Sequence, residues 1–217
     1  MSIAEKLQTV AENQQKVYDG GFAAGQAQNG YDDGILAGKQ AEYDRFWDAY
    51  QNNGTLNNYY QAFQNAFWDD DTFRPKYPIT CSGGSTNARS ICYNATNITN
   101  IPVDVIVTGI SMQDAFSRCG KLHAIKKLVL NGVTSLVNTF TGCSALENIE
   151  IDGSIDVNFN ISATAVLTDA SVQSIIDHLK DLIGATAQTL TFHATVGGNL
   201  SNAQKATITA KNWTLVY

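Results

Sequence analysis

Apolar positions recur along this chain with three different periods, and each period marks a different kind of element. In the centre, Phe116, Cys119, Leu122 and Ile125 fall on every third residue, and the spacing returns 24 residues on as Phe140, Cys143, Leu146 and Ile149. Each copy runs into a short alternating segment closed by glycine: Leu128-Val129-Leu130-Asn131-Gly132 in the first, Ile149-Glu150-Ile151-Asp152-Gly153 in the second. On this alignment the first copy carries three extra residues. A unit this short supplies one strand and a turn or short helix, which cannot close its own apolar face, so it must stack on neighbours as a solenoid. Residues 79–112 read as a degenerate earlier layer. There Cys92-x-x-Ala95-x-x-Ile98-x-x-Ile101 echoes the Cys-x-x-Leu-x-x-Ile portion, and a strand over Val103–Gly109 closes it. The Ser-, Thr-, Asn- and Gly-rich stretch from Ser82 to Thr99 predicts a loop.

The first 40 or so residues carry a helical period of alternating three and four: Ile3, Leu7, Val10, Gln14, Val17, Gly21, Ala24, Gln28, Tyr31, Ile35 and Gly38. A sustained 3.5-residue period predicts helices that wrap around one another, with Gln14 or Gln28 as polar core positions that fix register. These ten positions from Ile3 to Ile35 are the candidate oligomerisation residues, with a trimer weighed ahead of a dimer. An overlapping signal repeats Tyr18-Asp19-x-Gly21-x-x-Ala24-Gly25 as Tyr31-Asp32-x-Gly34-x-x-Ala37-Gly38. Each glycine in this stretch costs a helix interior about 1 kcal/mol against alanine. Close approach of packed helices offsets that cost; the competing reading makes Gly20-Gly21 and Asn29-Gly30 plain turns.

Aromatic residues crowd the next segment: Tyr43, Phe46, Trp47, Tyr50, Tyr59, Tyr60, Phe63, Phe67, Trp68, Phe73 and Tyr77. Their helical spacing on either side of Asn52-Asn53-Gly54 predicts a helical hairpin. The hairpin reads as a cap over the first solenoid layer, with an aromatic platform for sugars as the functional alternative.

After Gly153 the pattern becomes strand, helix, strand, helix, strand. Val157, Phe159 and Ile161 alternate as a strand, while Val172, Ile175, Ile176, Leu179, Leu182 and Ile183 trace a helix face that Gly184 stops. Leu190 and Phe192 mark the next strand. Ser201-Asn202-Ala203-Gln204 has the spacing of a capping box, and the helix it opens ends near Asn212, before a strand over Trp213–Tyr217. The section is expected to continue the same curved sheet as a C-terminal cap.

Charge narrows the partners. A formal charge of −6, with charged residues at 16% of 217, leaves no Lys/Arg cluster for phosphate contacts and argues against nucleic acid. The start, Met1-Ser2-Ile3-Ala4-Glu5-Lys6, lacks the apolar run of a secretion signal, and no stretch is long and apolar enough for membrane insertion. Four cysteines allow two disulfides in three connectivities. Cys119 and Cys143, however, hold equivalent positions in the two copies and are expected to stack as free buried thiols. Cys81 and Cys92 lack the further ligands of a zinc site. His123, His178 and His193 lie in unrelated segments; His178, with Asp177 and Asp181 nearby, reads as part of a solvated helix face. Asp69-Asp70-Asp71 lacks the alternating ligands and closing glutamate of a calcium loop and reads as a solvated turn. No nucleophile elbow, phosphate loop or zinc-protease motif is present. The expectation is a protein that is not an enzyme, with no cofactor and no metal.

The copies Phe116-x-x-Cys119-x-x-Leu122 and Phe140-x-x-Cys143-x-x-Leu146 resemble the BspA-like leucine-rich repeats. Gly38 to Gln51, followed by Phe73-Arg74-Pro75-Lys76-Tyr77, is similar to the start of repeat proteins encoded by phages and prophages of gut Firmicutes, and Leu190-Thr191-Phe192 with Lys211-Asn212-Trp213-Thr214-Leu215 resembles their ending. The resemblance implies a virion component, a fibre or decoration protein of the phage particle, synthesised in the host cytoplasm. It carries over no ligand-binding residue.

The expected fold class is α/β, a short leucine-rich-repeat solenoid with an α/β C-terminal cap behind an oligomerising helix. The expected divisions are a helical stem over 1–41, an aromatic helical cap over 42–78, the solenoid over 79–156 and the C-terminal cap over 157–217. The stem would bind other virion proteins and further copies of the chain, and the solenoid would touch a host surface protein or glycan. A cellular leucine-rich-repeat module binding a protein or glycan is the alternative.

Overall fold

The structure is a computed structural model that describes residues 78–82, 88–89 and 91–217. The stem positions from Ile3 to Ile35, the aromatic segment Tyr43 to Tyr77 and Asp69-Asp70-Asp71 lie outside the described residues. The fold is α/β, with parallel strands in two sheets.

The first sheet takes β1 (Ile79–Ser82), β2 (Asn100–Thr108), β3 (Ala124–Asn131) and β4 (Asn148–Gly153) in sequential order, each parallel to the next. Burial alternates along every long strand: Ile101, Val105, Val107, Ile125, Leu128, Leu130, Ile149 and Ile151 are all buried, while Asn100, Pro102, Thr108, Lys126, Asn131, Glu150 and Asp152 are exposed. Parallel sheets covered by helices on both faces are apolar throughout. This one packs one face and leaves the other to solvent.

Behind the inward face the turns stack as well. Ile101 pairs with Ile125 and Ile125 with Ile149, which places Phe116 on Phe140 at 5.8 Å between ring centres, and Phe140 on Phe159 at 5.6 Å. All three rings are fully buried, each contributing roughly 1.5–3 kcal/mol by burial. The Cys119 thiol donates to the Cys92 carbonyl at 2.9 Å and the Cys143 thiol to that of Phe116 at 3.1 Å. Cys92 therefore stands where Phe116 stands in the following layer, and Ala95, not Cys92, is the counterpart of Cys119. Asn94, Arg118 and Gly142, at matching places in successive turns, share a left-handed backbone with φ of 58°, 66° and 80°.

The strand alignment differs from the one read from the glycines. Ile125 pairs with Ile149 but Leu128 with Ile151, so one bulged residue, not three, separates the two strands, and Gly153 lies beside Leu130. A parallel ladder keeps apolar side chains in register and expels the surplus residue as a bulge.

Beyond β4 the chain does not continue the sheet. Helix α1 (Asp169–Asp177) takes the place of a fifth strand. The second sheet, β5 (Phe159–Asn160), β6 (Gln188–Thr191) and β7 (Trp213–Val216), is separate and also parallel. β5 is shorter than Val157, Phe159 and Ile161 predict, because the Asn158 side chain accepts the Thr189 amide at 2.7 Å where a backbone carbonyl would stand.

Helix α1 also ends well before Gly184. Ile155 donates its amide to the His178 carbonyl at 2.8 Å and accepts that of Lys180 at 2.9 Å, drawing Leu179 into an extended bridge. Leu182 stays buried while Ile183 is 74% exposed, so the two do not share a helix face with Ile176.

Two further helices complete the region. The short helix α2 (Ala194–Asn199) was not anticipated; Gly197, in its middle, makes room for the Tyr217 ring, which a Cβ there would strike. Helix α3 (Asn202–Ala210) has the full capping box that Ser201 and Gln204 predict.

Candidate functional site

The open face of the first sheet brings together side chains far apart in sequence. Register places Thr80, Ile106, Val129 and Asp152 in one row across the four strands, and Thr108 and Asn131 in the next. Along the other flank Lys126 Nζ lies 3.0 Å from Asp104 Oδ1, an ion pair whose angle leaves that oxygen without a hydrogen bond. Lys127 Nζ lies 2.8 Å from Glu150 Oε1. The hydrogen bond from Glu150, then its charge, raises the Lys127 pKa. These pairs are exposed and contribute little to stability; their effect is to fix the charge pattern of the face. Half-buried Ile106 and Val129 give it an apolar centre between charged and hydroxyl-bearing edges.

At the β4 edge the face meets α1 in a shallow groove of about 520 Å³ lined by Glu150, Ile151, Asp152, Ala170, Gln173, Ser174, Asp177 and His178. Serine hydroxyls hold the helix against the strand. Ser171 Oγ accepts the Ile149 amide at 3.0 Å and donates to the Glu147 carbonyl at 3.0 Å. Ser174 Oγ accepts the Ile151 amide at 2.8 Å and approaches the Ile151 carbonyl at 3.4 Å. Two side chains thus do for β4 what the backbone of another strand would do. Two serines three apart in an amphipathic helix, Ser171 buried and Ser174 half-buried in the structure, are the only sequence signal for this device, and sequence reasoning missed it.

The histidines do not converge. His123 Nδ1 lies 3.5 Å from Glu147 Oε1. His178 caps the C-terminus of α1, its Nδ1 2.8 Å from the Ser174 carbonyl, and Asp181 falls outside the helix and accepts the Ile183 amide. His193 caps α2, its Nδ1 accepting the Thr195 amide at 3.1 Å.

All four cysteines are free and buried. Burial pushes the thiols of Cys81 and Cys119 up to about 12, and those of Cys92 and Cys143 up as well. Such thiols are protonated and unreactive. Among the described residues no group of histidines, cysteines and carboxylates is placed to hold a metal ion. Among the same residues no helix is long and apolar enough to cross a membrane.

No protein-family model, curated protein or solved structure matches the chain.

Proposed function

We propose that the described residues form a short leucine-rich-repeat solenoid of the BspA-like kind, closed by an α/β cap. On this reading the chain is a non-enzymatic structural protein of a phage particle, a fibre, decoration or receptor-binding component that attaches to a host surface. The observation that carries it is the first sheet. Its four strands follow one another in parallel with none skipped, their inward side chains stack layer on layer, and their outward side chains form one open, chemically mixed face. A layered stack of this kind presents surface in proportion to its length, which suits contact with a protein or glycan.

Attachment follows from multiplicity. Ile3, Leu7, Val10, Gln14, Val17, Gly21, Ala24, Gln28, Tyr31 and Ile35 are proposed to join several copies and to bind other virion proteins. Tethered copies then rebind at high effective concentration, so weak single contacts become firm adhesion.

Immunogold electron microscopy of purified particles, with antibody against this chain, tests the reading. Label on the virion is expected. A chain absent from particles and monomeric by light scattering would move it to a cellular repeat module.

A further inference from the structure

The two sheets treat their last strands differently. The outer edge of β4 is sealed by Ser171 and Ser174. The strand β7 pairs with β6 on one side, and among the described residues no hydrogen bond is made to its other edge. The strand Trp213-Thr214-Leu215-Val216 has no charge, no proline and no glycine, the composition of an edge that invites pairing. Thr214 and Val216 face solvent, the latter 45% exposed, while buried Trp213 and half-buried Leu215 point the other way. Tyr217 has the same parity as Trp213 and Leu215, and its ring packs at Gly197 with Lys205 Nζ 5.3 Å from its centre.

We propose that this edge pairs antiparallel with the β7 edge of a second copy of the chain, joining two three-stranded sheets into one. The occupant follows from self-complementarity. Pairing centred on Leu215 sets Leu215 against itself, Thr214 against Val216 and Trp213 against Tyr217, so solvent-facing positions meet solvent-facing ones, inward positions meet inward ones, and no like charges within the strands are opposed. The strand has no charge to repel its copy and none to select a charged partner. The patch is small beside the roughly 800 Å² per partner of a standard interface, so the dimer is concentration-dependent.

Register makes the test specific. In the full-length chain, Thr214→Cys with Val216→Cys places two thiols opposite two thiols, whereas Thr214→Cys alone faces a valine. The four native cysteines are buried and give no background, and both altered positions are exposed, so folding is retained. Under mild oxidation the double variant is expected to cross-link at least about tenfold faster than the single one, because a disulfide needs Cβ atoms about 4 Å apart. Equal rates for the two variants, as proximity through any other segment would give, overturn the proposal, and so does the absence of a cross-linked dimer in the double variant.

Discussion

Replacing Ser171 by alanine sets two opposing effects against each other. The hydroxyl is the partner of the Ile149 amide, and Ser171 and Ile149 are each 3% exposed, so water cannot substitute for it. An orphaned buried donor costs about 1–3 kcal/mol. The Glu147 carbonyl, which also loses a donor, keeps the Thr168 amide at 3.0 Å and is not orphaned. In the other direction alanine is the better helix former, by at most about 0.5 kcal/mol, because Ser171 sits in the first turn of α1, where propensity differences are smaller than in mid-helix. The net expectation is a loss of about 1–2 kcal/mol, the orphaned amide outweighing the propensity gain. Ser174→Ala should cost about half as much, because Ser174 lines the open groove and water can reach the Ile151 amide. Urea midpoints give the free energies, and hydrogen exchange locates them, with faster exchange expected at Ile149 in the first variant and at Ile151 in the second. A Ser171→Ala protein as stable as the parent or more so, with Ile149 exchange unchanged, would refute the claim that the helix hydroxyls replace a strand.

Removing the central ring by Phe140→Ala should cost about 3–5 kcal/mol, since it opens a cavity between Phe116 and Phe159; a urea midpoint shift within that of a surface substitution would contradict the stack. Gly153→Ala should destabilise more than Gly184→Ala: both have φ of 82°, but a Cβ at 153 strikes the Leu130 carbonyl while one at 184 meets nothing, leaving only the backbone strain of about 1–2 kcal/mol. Calorimetric melting of the two variants ranks them. The thiols give a pH dependence. The folded chain keeps Cys81 and Cys119 protonated up to about 12 while the unfolded chain ionises near 9.0, so stability is complete below about pH 9 and is lost as pH rises toward 12. Denaturant midpoints between pH 8 and 10 should fall, and fall less steeply in Cys119→Ala.

The spacing of Phe116, Cys119, Leu122 and Ile125 with their counterparts gave the parallel pairing of β3 and β4 and the stacking of the rings, because packing demands the same side chain at the same height in each layer. It did not give the strand alignment. Between inward anchors β2 runs from Ile101 to Val105, β3 from Ile125 to Leu128 and β4 from Ile149 to Ile151, so each strand is one residue shorter than the last. Glycines at strand ends follow the turn, not the ladder, and were a poor guide. The end of α1 was hidden for a different reason: Leu179 and Leu182 fit a helical period, yet the neighbours of Leu179, His178 and Lys180, bond to Ile155, and Leu182 donates to the Lys211 carbonyl, long-range bonds that no local pattern reveals. Capping chemistry was legible at Ser201 and Gln204 because its partners are three residues apart. Ser171 was not, because its partner lies 22 residues away.

The candidate face was the least legible part, and the reason lies in the same division of labour. Most inward positions stay apolar from layer to layer, isoleucine at 101, 125 and 149, with Gly153 beside Leu130 as an exception at the end of β4. Outward positions at the same heights do not: Ile106 gives way to Val129 and then Asp152, and Thr108 to Asn131. Packing constrains the first set and solvent leaves the second free. A copied motif therefore finds the core and is blind to the surface, while the surface is where neighbouring layers have diverged. In the proposed reading that divergence is what a ligand contacts: an apolar strip through Ile106 and Val129, hydroxyl and amide groups along one border, and fixed ion pairs along the other. The recognising surface is best sought at the positions where the layers stop matching, on the frame that the matching positions hold rigid.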